Sequence, residues 1–495
     1  MDPMVRIRQL TGETDVVVVG AGPGGATAAA RLARMGLRVV LIDQHAFPRD
    51  KVCGDFLSPV ALEELADLGL PSFPGYLATN VARSAAVFLE GKRLLARPLP
   101  SVPPLPDYGR VIPRLRLDAW ILEAALKAGV RFIDGARVQG FTVESDGIRI
   151  AYQRDRHAES IHAPIAIAAD GSSSVMARVL RGGEPDGHSR IVALRAYYEG
   201  VEGPADQADL YFSSDSFPGY YWLFPTGNGE ANVGLGVATD TIPRSELRLR
   251  ELLAEMVRKD AALTRRLRGA QLRGKVVGWP LATYAPSTPT VADRLLMVGD
   301  AANLINPLNG EGIQTALLSA RWAAETVAAA TASGDFSRAG LDGYRQRVDD
   351  ELRYDMALAS LIVQCIRNRT LNAVWMRLFR VIAARARRDA AYSHIAGGIL
   401  AGVVNAGDAL SWRMLSGTVQ QTIWDTSVGA VKTMFRGPQG LAQAGLDSAR
   451  LGFELAYDVA HDPAGFARWA ALSGAGVIEL ARGAGAHARL PRAEP

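Results

Sequence analysis

Cysteine is almost missing: 495 residues contain two, Cys53 and Cys365, in unlike contexts. That excludes a disulfide framework and a cysteine-rich metal site, so no metal is expected, and it points to a reducing compartment. Charge of one sign is scarce as well. A formal net charge of +4 is too small over this length to suggest a nucleic-acid partner. Long apolar runs are absent too. Met1 to Asp15 is charged and lacks a signal core, Val16 to Val19 is too short for a bilayer, and Ile395 to Leu410 is interrupted by Asn405 and Asp408. A cytoplasmic, globular protein of two or three domains is the expectation.

What is present begins at Asp15. Val16 to Val19 reads as a buried parallel strand that enters a turn with Gly20, Gly22 and Gly25 and opens a helix from Ala26 to Met35. A second apolar strand follows and ends at Asp43. In such a βαβ unit Gly20 permits the tight turn, Gly22 lets a pyrophosphate approach the backbone, and Gly25 lets helix and strand pack closely. The phosphates then meet the positive helix N-terminus, and Asp43 stands where a carboxylate accepts ribose hydroxyls. The unit indicates a dinucleotide without saying which one.

Further along, Arg49-Asp50-Lys51-Val52-Cys53-Gly54 is a strand-end loop of the kind that carries ligand contacts. Arg49 and Lys51 would favour a Cys53 thiolate if they face it; otherwise Cys53 is a small buried loop residue. Arg114 precedes a helix and suits either an anion or solvent. Strands are expected over Val138 to Val143, Gly147 to Tyr152 and His162 to Ala168, then a turn at Ala169 to Ser174. From Ile191 to Trp279 strands dominate, with one helical piece from Ser245 to Arg268. Alternation along Tyr220 to Phe224 puts Tyr220, Trp222 and Phe224 on one face, either lining a pocket or filling a sheet core. The strand ending at Gly299-Asp300 leads through Asn306-Pro307-Leu308-Asn309-Gly310-Glu311 to Gly312 and Ile313, whose amides open another helix.

Beyond Asp350 the chain reads as helical and rich in Ala, Gly and Arg. Leu371, Val374, Trp375, Leu378 and Ile382 share one helical face, with Arg377, Arg380, Arg385, Arg387 and Arg388 at its polar side and end. Such a helix rests on an anionic membrane or docks on the first domain. Helices are expected near Leu446 to Val459 and Phe466 to Leu480, and a disordered tail from Gly483.

Four of these segments together, Gly20 to Asp43, Arg49 to Gly54, Pro218 to Pro225 with Ala231-Asn232-Val233-Gly234, and Gly299 to Ile313, resemble the FAD-dependent geranylgeranyl reductase family. That family lies within the p-hydroxybenzoate hydroxylase-like flavoprotein class. The resemblance implies an α/β fold: a Rossmann-like FAD-binding domain (12–76, 107–190 and 280–350), an inserted β-sheet substrate domain (77–106 and 191–279), a C-terminal helical extension (351–482) and a tail (483–495). It implies FAD, with Asp43 on the adenosine ribose, Arg114 and Asp300 toward the pyrophosphate and ribityl, and Gly312 and Ile313 by the isoalloxazine. Cys53, Gly54 and Val138 match positions that contact FAD. Departures include Phe56 after Asp55, where family loops often carry Gly. Tyr220 and Phe224 stand at two positions of the Gly-Trp-x-Trp-x-Ile-Pro strand of flavin halogenases, whose lysine segment has no counterpart.

The reaction implied is reduction of an alkene in a hydrophobic isoprenoid, quinone-like or polyketide-type substrate. NAD(P)H would be a transient reductant, since no second glycine turn follows a strand, and the proton donor is unassigned. Two alternatives share the same residues: a flavin-dependent monooxygenase of an aromatic or polyketide-type metabolite, and a cyclase or isomerase with FAD as scaffold.

Overall fold

The computed structural model describes residues 8–9, 14–183, 190–214, 217–238, 249–286, 288–404, 406–435, 453, 457 and 459–487. Val16–Val19 lies near the middle of a six-stranded, mostly parallel sheet, between Ile165–Ala168 and Val39–Ile42; Arg131–Ile133, Leu295–Met297 and Val291–Ala292 complete it. Strands covered on both faces read as unbroken apolar runs, and Val16, Val17 and Val18 have no exposed surface. The helices Pro23–Arg34 and Ile313–Ser333 pack against each other on this sheet. Both therefore start at the same sheet end, beside the turns that follow Val19 and Met297.

The expected strand from His162 to Ala168 is in fact two. His157–Ala163 belongs to a separate sheet with Ile148–Arg154 and Arg137–Val143, and Ile165–Ala168 joins the parallel one. Pro164 sits at the break, where a residue without an N–H interrupts no ladder. The helical piece expected from Ser245 is likewise two helices, Leu249–Lys259 and Ala261–Arg266. The Asp260 carboxylate accepts from the amides of Ala262 and Leu263 at 3.0 and 2.9 Å and so starts the second; residues 239–248 lie outside the described set.

The second large sheet has seven strands in the order Gln271–Ala282, Arg190–Glu199, Glu230–Ala238, Tyr220–Gly227, Gln207–Phe212, Ser84–Leu89, Lys92–Pro98. One face, with Tyr211, Tyr221, Leu223, Val233 and Leu235, buries Leu253, Met256 and Leu263 of the two short helices. The opposite face, with Val87, Leu210, Tyr220, Trp222 and Phe224, looks onto a cavity.

The helix Asn372–Arg388 docks, but on this second sheet rather than on the first domain, and by a face only partly the one that periodicity selects: Trp375 and Ile382 turn inward as expected. Met376 and Val381 are buried while Val374 and Leu378 are 40% and 36% exposed. Phe379 meets Phe212 at 4.7 Å between ring centroids. The edge strand Lys92–Pro98 supplies the reason: Arg387 donates to the Leu94 carbonyl (3.0 Å) and Arg97 to the Arg387 carbonyl (2.8 Å), so the helix end covers open backbone groups. Pro463–His487 lies along Tyr354–Ile366, with Arg353 paired to Glu479 at 2.7 Å. It runs past Gly483, so the tail is helical to His487. Most of Leu446 to Val459, and 488–495, lie outside the described residues.

Candidate cofactor and substrate site

The first glycine turn is held from two sides. Gly20 has φ +98°, and a Cβ there would lie 2.3 Å from the Ala169 carbonyl oxygen; one on Gly25 would lie 1.8 Å from the Gly20 carbonyl oxygen. Neither position has room for a side chain. Asp43 is buried and accepts from the amides of Ala21 (2.7 Å) and His45 (2.8 Å), which fixes the turn and leaves its remaining lone pairs for a ligand. Val138 is buried on Arg137–Val143, and the Ala136 amide donates to the Asp43 carbonyl at 2.8 Å, so both lie at the same end of the sheet. Gly22 forms the N-cap of Pro23–Arg34 with its Cα open; the nearest group is the Arg49 guanidinium, 3.5 Å from where a Cβ would be.

Arg114 lines the cavity with Gly22 and Gly24 and is held there by an acid. It is buried and doubly hydrogen-bonded to Asp118 at 2.6 and 2.7 Å. Asp118 also pairs with Arg49 at 2.7 Å; burial favours its neutral form, but the two guanidiniums outweigh this and hold it below the usual carboxylate range. Arg49 is thus the cation nearest the open Cα of Gly22, and it shares Asp118 with the cavity-lining Arg114. Cys53 departs from the thiolate reading. Burial pushes its thiol up against the opposing pull of Arg114, and Lys51 points instead to Asp300 at 3.3 Å. No thiolate is favoured.

Asp300 sits in the short 3₁₀ turn Gly299–Ala302 and also accepts from Ser172 Oγ at 2.8 Å. Gly312 caps Ile313–Ser333, with its Cβ position 3.4 Å from Asp300 Oδ1. Two helix N-termini and Asp300 therefore line one groove, and Asp43 stands behind its first turn through the Ala21 amide.

A hydrogen-bonded chain joins the Cys53 loop to the aromatic strand. Trp222 Nε1 donates to Asn232 Oδ1 (2.8 Å), and Asn232 Nδ2 donates to the Cys53 carbonyl (2.8 Å) and Asp55 Oδ2 (2.7 Å), which also accepts from Tyr197 (2.6 Å). Burial pushes Asp55 up to about 6 against the pull of the Tyr197 and Asn232 hydrogen bonds. Gly54 lies under the aromatic pair, its Cβ position 3.1 Å from the Phe224 ring. Arg49, Lys51, Asp55, Ser172, Tyr197 and Asn232 carry the site's polar structure; sequence reasoning considered Arg49 and Lys51 only as neighbours of the Cys53 thiol and assigned the other four no role. The signal that was available is that Cys53-Gly54 and Ala231-Asn232 lie inside the segments that carry the family resemblance, with Asp55 directly after the first of them.

The groove opens into a cavity of about 550 Å³, within the range of small-molecule sites. Gly22, Gly24, Lys51, Cys53, Arg114, Asp300, Gly312 and Ile313 line one part; Tyr220, Trp222, Phe224, Phe212, Val87 and Leu210 form the sheet wall. Ile362, Ile366, Trp375, Leu378, Phe379 and Ile399 of the C-terminal helices form the roof. FAD fits these donors: open backbone at Gly22, a guanidinium beside it, and an acid at each strand end.

Residues 13–351 match the FAD binding domain family. The chain is 34% identical to a menaquinone reductase of Mycolicibacterium smegmatis, over 63% of this chain and 75% of that protein. It is 31% identical to digeranylgeranylglycerophospholipid reductase 2 of Methanopyrus kandleri, over 73% of this chain and 89% of the relative. Among solved structures, a geranylgeranyl bacteriochlorophyll reductase-like protein of Thermoplasma acidophilum superposes with TM-score 0.65 at 25% identity, covering 73% of this chain and 89% of its own. A flavin-dependent brominase superposes with TM-score 0.65 at 19% identity, covering 85% and 99%, a likeness of fold. The chain belongs to the FAD binding domain family and is an FAD-dependent oxidoreductase of the geranylgeranyl reductase kind.

Proposed function

We propose that the chain reduces carbon–carbon double bonds in a long isoprenoid chain, carried on a quinone or a glycerolipid, with electrons that reach FAD from NAD(P)H or another donor. The observation that carries this reading is the cavity itself: it runs without a wall from the Gly22 turn to a roof of apolar C-terminal side chains, a shape for a greasy chain beside a flavin. The names of the relatives point the same way. Bound FAD supplies hydride chemistry. The protein's part is to hold it: Gly20, Gly22 and Gly25 shape the turn, Asp43 and Val138 take the adenosine end, and Arg49 stands at the pyrophosphate with Arg114 joined to it through Asp118. Asp300 with Lys51 and Ser172 faces the ribityl, Cys53 and Gly54 flank the ring, and the amides of Gly312 and Ile313 meet it. Tyr220, Trp222 and Phe224 face the substrate. Residues 12–76, 107–190 and 280–350 form the FAD-binding domain on this reading, 77–106 and 191–279 the substrate domain, and 351–482 the roof.

Among the described residues no helix is long and apolar enough to cross a membrane. We place the protein in the cytoplasm, touching membranes peripherally to collect its lipid. The support is an exposed stripe of Leu415, Val419, Ile423 and Trp424 on Trp412–Phe435, with Arg388 beside Trp424.

Turnover with NAD(P)H or dithionite, with and without oxygen, tests the function. The expected result is loss of one double bond per two electrons without oxygen. Oxygen-dependent gain of an oxygen atom would favour the monooxygenase, and product formed with redox-inert flavin would favour the cyclase or isomerase.

A further inference from the structure

Alkene reduction needs a proton as well as a hydride, and the charged groups of the cavity wall can be sorted by what already occupies them. Asp300 is engaged by Lys51 and Ser172, and Arg114 by Asp118. Asp55 Oδ2 takes two hydrogen bonds, while its Oδ1 has no partner but is sealed from the cavity. Glu311 differs from all of these. It lines the cavity immediately before the Gly312 cap, and among the described residues its carboxyl has one partner, the Gln314 amide on Oε1 at 3.2 Å.

The loop holds this carboxyl in place. The Glu311 amide donates to Asn309 Oδ1 (2.9 Å), its carbonyl accepts from the Asn306 amide (2.9 Å), and Tyr220 Oη donates to the Asn309 carbonyl (2.6 Å). Gln314 is itself clamped between Ser58 Oγ (2.7 Å) and the Gly402 carbonyl (3.1 Å). The segment after Ala390–Leu400 is thus tied to the start of the helix through Gln314, the residue whose amide holds Glu311 Oε1.

We propose that Glu311 is the catalytic acid: Oε2 gives its proton to one alkene carbon as the hydride supplied by reduced FAD bonds to the other. The π bond is consumed, two C–H bonds form, the flavin is oxidised by two electrons, and the carboxylate is reprotonated from water. This rests on the reductase reading above. Burial pushes Glu311 up to about 7, against the pull of the Gln314 amide, so a substantial fraction carries the proton at neutral pH, where a general acid works best. Tyr220, the titratable group coupled to it, has its proton engaged with the Asn309 carbonyl.

The test uses FAD-loaded wild type, Glu311→Gln and Glu311→Asp, reduced without oxygen and mixed with menaquinone bearing an unsaturated polyprenyl chain or with a digeranylgeranyl glycerophospholipid. Glu311→Gln keeps the acceptor for Gln314 and should retain flavin, yet reoxidise about 100-fold more slowly or worse. Its rate should also lose the fall that wild type shows as pH rises through about 7; Glu311→Asp should recover part of the rate. Independently of turnover, an infrared carboxyl band that titrates near neutrality in wild type should be missing from Glu311→Gln. Wild-type rate and pH profile in Glu311→Gln, or the same titrating band, would overturn the assignment, as would flavin loss in both variants. If wild type itself transfers nothing to either lipid, the reductase reading falls first and this one with it.

Discussion

Asp55 shows how much a single side chain organises here. It sits at φ +64° with no exposed surface, a conformation that Asp, Asn and Gly adopt more readily than other residues. Asp55→Ala leaves the donors of Tyr197 and Asn232 unpaired and keeps the strained backbone, a loss of about 2–4 kcal/mol. Asp55→Asn keeps an acceptor and the backbone preference and should cost less than half of that; urea titration checks both. The pH dependence has a definite sign. With a folded-state value of about 6 against 3.8 unfolded, the native protein binds more protons between those values, so this group's contribution is fully present below about 4 and falls away as pH rises through 6. Asp55→Asn should flatten that slope. None of this was legible from sequence, because Asp55 and Asn232 are 177 positions apart and nothing local marks which carboxyl meets which amide. Gly20, Gly25 and Asp43 were legible because turn geometry and strand ends are local properties.

Among the elements, those buried on both faces were easiest to read, and those whose environment is set by a distant partner were not. Val16–Val19 announces itself, whereas Gln271–Ala282 is a largely exposed edge strand with no clean alternation to find. Asn372–Arg388 was expected to rest on a membrane or dock on the first domain; it docks on the second sheet, and its buried face depends on Phe212 and the carbonyl of Leu94, which periodicity does not encode. The turn Gly299–Ala302 carries the sharpest element-scale test. Asp300→Ala removes the partner of Lys51 and Ser172 and should weaken FAD retention by about 10- to 100-fold, or roughly 1.4–2.7 kcal/mol, read by equilibrium dialysis of reconstituted protein. Unchanged retention would remove Asp300 from the cofactor site.

For the whole molecule, the cavity exists because three parts of the chain meet. The glycine turns supply a polar groove, the seven-stranded sheet an apolar wall, and the C-terminal helices a roof. Motif order indicated the groove; whether the aromatic strand faced a pocket or a core, and whether the C-terminal helices covered the pocket mouth or met a membrane, were alternatives that tertiary docking decides. The exposed stripe on Trp412–Phe435 gives a prediction at this scale: Ile423→Asp with Trp424→Asp should reduce co-sedimentation with anionic vesicles several-fold while leaving flavin content intact. The most direct test of the whole assignment is a single turnover. Holoprotein photoreduced without oxygen is mixed with a stoichiometric polyprenyl lipid, and flavin oxidation and lipid mass are followed together. One flavin oxidised per lipid that gains two hydrogens is the expected result; flavin that stays reduced beside unchanged lipid would contradict it.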